Sequence, residues 1–326
     1  MHQFYGHKIQ EAMIHATLKN LPTEDICIHL SIDNHAKQYL CECGSASLLG
    51  KKDCLNLAAI FISHTHIDHF VNFDTVLRHQ LGSGMRVVLC GPKGIAKQLQ
   101  AKFLAYNWNL IAENELQYEI REIQNERRIK IYQISPPKWN LQVIGVLEGP
   151  ILYQNEAVEV RFTILDHGTP SIAYSFREPD AVNFLQNESP FAPGPWVKMA
   201  KAAFLANEPE MLINIQGENH PAAELFPYFR LKPGYHLGVV MDHLASSANH
   251  EKIMNTFQNA DQVVIETYYL NEDKELALQN RHSYAQASAE VMRKAGVKNA
   301  TPVHFSRRYI EEEIQIIQSE FKAALV

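Results

Sequence analysis

Apolar residues come along this chain in short bursts, and the bursts are of two kinds. Some are continuous: Ala58-Ala59-Ile60-Phe61-Ile62-Ser63 and the run from Met85 to Cys90, closed by Gly91-Pro92, predict strands buried on both faces. Leu237 to Met241 and Val263 to Thr267 predict two more of that kind, and Thr301 to His304 a further strand. Others alternate. Arg128 to Ile134, Leu141 to Leu147 and Ala157 to Leu165 are β-branched and separated by Pro136-Pro137 and Gly149-Pro150, the signature of antiparallel strands joined by turns. Helical spacing appears from Ile95 to about Ala105, from about Ala248 to Phe257, and from Tyr309 to Ala324, where Ile310, Ile314, Ile317 and Phe321 recur on one face. Ser283 reads as the N-cap of another helix that stops at Gly296. Strands alternating with helices predict an α/β fold.

One segment breaks the rhythm. From Arg177 to Tyr235 there is little clean periodicity, and prolines recur at 179, 190, 193, 195, 209, 221, 227 and 233. Irregular stretches of such length are usually functional, and this one reads as an arm inserted in the core fold. Length alone, 326 residues, would suggest roughly two domains. With the arm set apart, the expectation is one domain over residues 1–326 that carries an inserted arm over 177–235.

Composition narrows the class. Hydrophobic residues at 46% and charged residues at 20% exclude a disordered or collagen-like chain. The apolar runs, such as Leu57 to Ile62, fall far short of the ~20 residues of a membrane span, so no membrane partner is expected. Met1-His2-Gln3-Phe4-Tyr5 lacks the basic-then-apolar layout of a signal peptide, and a cytoplasmic protein is expected. Five cysteines (Cys27, Cys41, Cys43, Cys54, Cys90) are an odd number in a long chain and no disulfide framework. Cys41 and Cys43 have no second pair to complete a zinc knuckle and are expected to be small buried hydrophobes. The net charge of −6 advertises no polyanion partner, but 16 histidines are a surplus.

The surplus is concentrated in Ser63-His64-Thr65-His66-Ile67-Asp68-His69, directly after a buried strand. His64, His66 and Asp68 alternate and would share a face of an extended segment; the loop must turn to bring in His69. Imidazole and carboxylate together suit zinc, and also manganese or iron. One catalytic zinc takes three protein ligands, so four donors are too many for one ion and point to two. Further candidates stand at the ends of later strands: His167 after Leu165, Asp242 after Met241, and His304 after Val303. In Asp166-His167 and Asp242-His243 either member could point inward. The other histidines (His2, His7, His15, His29, His35, His79, His220, His236, His243, His250) have no such context and are read as non-ligands.

The His-x-His-x-Asp-His motif followed by isolated His, Asp and His resembles the metallo-β-lactamase superfamily. Further stretches resemble its ribonuclease Z branch, endonucleases that trim the 3′ trailer of precursor tRNA. They are Gly91-Pro92-Lys93-Gly94, Leu165-Asp166-His167-Gly168 leading to Ala173-Tyr174, Pro193-Gly194-Pro195, Ile265-Glu266-Thr267, His282-Ser283 and His304-Phe305-Ser306-Arg307-Arg308-Tyr309. The resemblance runs from about residue 40 to 310. It implies a metallo-β-lactamase αββα sandwich with the site at one edge between the sheets. It also implies that His64, His66 and His167 bind one zinc, that Asp68, His69 and His304 bind the other, and that Asp242 rather than His243 bridges them. Glu42-Cys43-Gly44 stands where the family has Asp-x-Gly, and Ile67 where it commonly has glycine.

A bridged metal pair ~3.5–4 Å apart brings the pKa of a shared water near neutrality and stabilises phosphoryl charge, so phosphodiester hydrolysis by a bridging hydroxide is the expected reaction. Asp68 could also orient that water. His282, supported by Glu266, resembles the family's pair that protonates the leaving oxygen, a role that suits a histidine; capping beside Ser283 is the plainer alternative. Ser306 and Arg308 are candidate substrate contacts, guanidinium matching phosphate geometry, though Arg308 could instead pair with Glu311 or Glu312. Precursor tRNA is the implied substrate, and a homodimer joined through the arm is an expectation. Electrostatics pull the other way: five basic against seven acidic residues leave the arm at −2, and phosphate contacts dominate nucleic-acid affinity. The alternatives are a hydrolase of a cyclic nucleotide or other small phosphodiester, and a non-catalytic RNA- or protein-binding module.

Overall fold

The computed structural model describes residues 13–326; the signal-peptide reading of Met1 to Tyr5, and His2 and His7, lie outside the described residues. Two sheets carry the fold. The first has eight strands in the order Ile14–Leu18, Ile28–Ile32, Gln38–Cys41, Leu57–Phe61, Met85–Pro92, Leu116–Asn125, Arg128–Ile134 and Gln142–Glu148. The second has six, in the order Ala300–Val303, Gln262–Glu266, His236–Val240, Pro170–Arg177, Glu159–Asp166 and Ile151–Gln154.

The period of two along each strand explains the layering. Tyr39, Cys41, Ala59 and Phe61 of the first sheet meet Val160, Phe162, Tyr174, Phe176, Val239 and Met241 of the second in one buried cluster. The interleaved residues Leu40, Ile60 and Leu89 face outward into the helices Phe73–Gln80 and Ile95–Leu104 through Phe73, Leu77, Leu99 and Phe103. On the far side Val240 and Ile265 pack on Ser247–Phe257, Ala285–Lys294 and Glu311–Leu325 through Phe257, Met292, Ile317 and Phe321. The result is an αββα sandwich. Each fully buried aliphatic or aromatic side chain contributes about 1.5–3 kcal/mol, so a strand sharing two clusters, as Leu57–Phe61 does, is held from both faces. No helix among the described residues is long and apolar enough to cross a membrane.

Two local expectations change. The helix Ala285–Lys294 has Tyr284 as its N-cap, while the Ser283 hydroxyl sits 2.7 Å from that of Ser288. The segment expected to be irregular is instead folded. Glu178–Gly234 form a compact unit in which Ala181–Phe184 pairs with Phe229–Lys232 and Leu212–Ile215 with Glu218–Pro221. The helix Trp196–Ala206 joins them, and Trp196, Ala200, Ile213, Leu225 and Phe229 make the unit's own core. Strands of four residues are too short to show a period, which hides this unit in the sequence. All five cysteines are buried and free.

Candidate metal centre

The strand Leu57–Phe61 delivers Ser63 to His69 to one edge of the sandwich, where contacts between the sheets fix the loop. Ile172 donates its N–H to the Ser63 carbonyl (2.9 Å), and the Tyr174 hydroxyl donates to the Ile62 carbonyl (2.7 Å). Below the loop lies Glu42-Cys43-Gly44: Cys43 N–H donates to the His69 carbonyl (2.8 Å), and Asn72 N–H to the Cys43 carbonyl (2.9 Å). Gly44 is a close approach. A Cβ there would stand 2.2 Å from the Asp68 carbonyl oxygen and 2.7 Å from that of Ile26, neither of which is a flexible group. Gly44→Ala is expected to cost on the order of 1–3 kcal/mol, the usual penalty of overpacking, and to lower metal content with it. Thermal unfolding alongside metal analysis checks both; a variant with unaltered melting and metal content would contradict it.

The described structure brings all seven candidate ligands together. One donor atom each from His64, His66, His167 and Asp242 lie within 4.8 Å of one another, and so do those of Asp68, His69 and His304. Asp242 faces both groups with different oxygens. Its Oδ2 is 3.4 Å from His167 Nε2 and 3.7 Å from His64 Nε2, while its Oδ1 is 3.3 Å from His69 Nε2 and 2.9 Å from His304 Nδ1. Asp68 Oδ2 stands 3.5 Å from His304 Nε2 and 3.7 Å from His69 Nε2. Asp166 lies apart, its carboxylate accepting from Gly168 N–H (2.7 Å) and facing Arg281. His243, although adjacent to Asp242, has its Nδ1 3.0 Å from the Met241 carbonyl and joins neither group.

The far nitrogens are anchored. His69 Nδ1 is 3.1 Å from Glu42 Oε2, His167 Nδ1 donates to the Arg281 carbonyl (2.7 Å), and His64 Nδ1 is 3.0 Å from the Ser63 hydroxyl. Such partners fix ring orientation and leave Nε2 as the free donor. Glu42 Oε1 also accepts from the Ser63 N–H (3.0 Å), so one buried carboxylate ties both ends of the histidine loop. The residues fit divalent cations on the structure's own terms: buried His64 Nε2, His69 Nε2, Asp242 Oδ1 and His304 Nδ1 make no hydrogen bond, which is costly unless something else satisfies them.

The charge states agree. Burial holds His64 neutral, its pKa pushed down to about 2. Burial acts the same way on His304, but the Asp242 carboxylate outweighs it and raises the pKa to about 9; His69 is raised well above its usual value by the same contest. Burial would raise Asp242, yet His304 and His69 hold its carboxyl well below the usual range. A cation that enters must therefore displace the protons on His69 and His304. Metal uptake near neutrality is expected to release protons, and affinity to fall as pH drops below about 9. Calorimetric titration in buffers of different ionisation enthalpy measures this; buffer-independent heats would refute it.

Beside the cluster His282 Nδ1 is hydrogen-bonded to Glu266 Oε1, and Glu266 Oε2 accepts from the His243 N–H (3.0 Å). His282 Nδ1 is 3.8 Å from Asp242 Oδ2. Ser306 is buried and donates its N–H to the Tyr268 carbonyl (3.0 Å). Arg308 pairs neither with Glu311 nor with Glu312. Its guanidinium lies 3.7 Å from Asp273 and over the Tyr309 ring, because the turn before Glu311–Leu325 points it across to the loop that opens Lys274–Gln279. One participant was not singled out by the sequence, Tyr268, whose ring stacks on His282; Glu42, noted there only as standing in place of the family's aspartate, proves to be the carboxylate under the histidine loop.

No family model matches the chain. Ribonuclease Z of Deinococcus radiodurans is 26% identical over 336 aligned positions, covering 96% of this chain and 97% of that protein. Among solved structures, the metallo-beta-lactamase fold protein YhfI from Bacillus subtilis aligns with a TM-score of 0.55 at 12% identity, over 95% of this chain and 92% of that one. The short form of human tRNase Z aligns with a TM-score of 0.56 at 14% identity, over 91% and 94%. The fold, the order of the elements and the length of the sequence match agree: this chain has the metallo-β-lactamase fold and is similar along nearly its whole length to ribonuclease Z.

Proposed function

We propose that the chain is a metal-dependent phosphodiesterase that acts as an endonuclease at the 3′ end of precursor tRNA. The observation that carries this reading is the two donor groups meeting at the two oxygens of Asp242. His64, His66 and His167 would hold one ion, Asp68, His69 and His304 the other, and Asp242 both, with zinc the first candidate and manganese or iron the alternatives. When bound, such a pair acidifies water and neutralises charge building on phosphoryl oxygens.

The chain's own residues do the rest. Asp68, with 30% of its side chain exposed, orients the attacking water. Burial opposes charge on His282, but the Glu266 carboxylate outweighs it and raises the pKa above the ordinary value. The ring therefore keeps its proton to higher pH than an ordinary histidine. With Nδ1 committed to Glu266, Nε2 is the nitrogen that hands a proton to the leaving ribose oxygen. Ser306 is assigned to substrate contact; Arg308, turned to Asp273, is not carried into the mechanism. The unit 178–234 is assigned to substrate or second-subunit contacts, on a single hydrolase domain.

A second reading, hydrolysis of a small phosphodiester, is favoured by one observation, the −3 balance of that unit. Metal analysis with paired assays on 3′-extended precursor tRNA and on bis(p-nitrophenyl) phosphate decides. Cleavage of the tRNA at its trailer is expected; turnover of the small ester alone would overturn the tRNA assignment, and absence of metal would overturn the mechanism.

A further inference from the structure

His282 has two constraints in the structure, and only one belongs to the hydrogen-bond system. Glu266 holds Nδ1, but one hydrogen bond leaves an imidazole free to rock about that contact. The second constraint is Tyr268, two residues after Glu266 on the same strand exit. Its ring lies parallel to the imidazole, with centroids 3.9 Å apart and planes 6° from parallel. This is the tightest parallel ring contact of the described site; the neighbouring pairs, His282 with His167 at 4.6 Å and 62° and with Tyr269 at 6.0 Å and 69°, are edge contacts. Tyr268 is itself held. Its carbonyl accepts from the Ser306 N–H (3.0 Å), and its ring is 5.1 Å from that of His304.

We propose that Tyr268 is a positioning residue for proton delivery: its ring fixes the imidazole plane of His282, so that Nε2 stays aimed at the leaving-group oxygen while Glu266 holds Nδ1. The inference rests on the reading of His282 as the proton donor. A parallel face-to-face contact at this distance resists rotation of the imidazole out of its plane. It also spans the step from the donor to His304, because the same tyrosine touches both rings. In proton transfer small misalignments matter: loss of orientation on this scale costs on the order of tenfold or more in rate.

The test separates positioning from structure by leaving group. An oxygen that leaves as a nitrophenolate needs no proton, whereas a ribose alkoxide does. The metal-loaded full-length protein is assayed on bis(p-nitrophenyl) phosphate and on a 3′-extended RNA, with kcat and KM measured separately and metal content determined for each variant. Tyr268→Leu is expected to lower kcat on the RNA by about tenfold more than on the nitrophenyl ester, with KM and metal content little changed. Tyr268→Phe, which keeps the ring, is expected to stay within about twofold of the parent on both substrates. Equal losses of Tyr268→Leu on both esters would overturn the proposal, as would a Tyr268→Phe loss matching that of leucine, which would move the role to the hydroxyl. His282→Ala keeps the two failures apart. If it shows the leaving-group dependence and Tyr268→Leu does not, only the tyrosine's role falls; if it shows none, the proton-donor reading falls and takes this proposal with it.

Discussion

Asp242→Ala is expected to abolish metal-dependent hydrolysis, lowering turnover by roughly three orders of magnitude or more, the scale at which preorganised electrostatic stabilisation acts. The reason is its double use. Oδ2 faces His167 and His64, Oδ1 faces His69 and His304, so one truncation removes a donor from both groups. It also removes the charge that keeps His304 protonated up to about pH 9. Elemental analysis of the purified variant should find both ions depleted. A variant that keeps a full metal complement and half the parental turnover would refute the bridging role. Asp166→Ala makes the control: that carboxylate is exposed and bonded to Gly168 and Arg281, and its loss should leave metal content unchanged.

His282→Ala is expected to behave differently, with metal retained and turnover on RNA reduced by about 10²–10⁴-fold, the contribution of a positioned general acid. The sign of its pH dependence follows from the raised pKa. The group that must carry the proton is competent below that pKa, so the parental rate on RNA falls on the alkaline side as His282 loses its proton, and the variant lacks that limb. Glu266→Gln should shift the alkaline limb to lower pH, because it removes the charge that raises His282. Rate profiles on both variants, taken at saturating metal, make the measurement. An alkaline limb that persists unchanged in His282→Ala would assign it to another group.

Much of the site could be read from the chain before any coordinates, and the reason is physical. Strands buried on both faces admit almost no polar residue, so Ala58 to Ile62 announces itself, and metal donors at its end stand out against that apolar run. The same holds at Met241-Asp242 and Val303-His304. What stayed hidden depends on contacts between distant segments. The strands Ile14–Leu18, Ile28–Ile32 and Gln38–Cys41 are only four or five residues long and leave no run to recognise. Glu42 earns its place only because the chain turns it under His69, at a positive φ of 65°. Tyr268 looks like any aromatic residue until its ring is seen on His282. The choice between Asp242 and His243 was also beyond spacing, since neighbours on an extended strand point oppositely; the packing of Gln262–Glu266 beside His236–Val240 places His243 against Glu266 and Asp242 at the edge.

The split of the donors between the two sheets bears on folding as well as on chemistry. His64, His66, Asp68 and His69 come from the loop after Leu57–Phe61 in the first sheet, while His167, Asp242 and His304 leave strands of the second. Each donor group therefore draws on both halves of the sandwich, and an ion held by either would act as a rivet between them. Its binding energy would then belong to the docking of one half of the chain on the other, and a chelator would lower the melting temperature by loosening that seam.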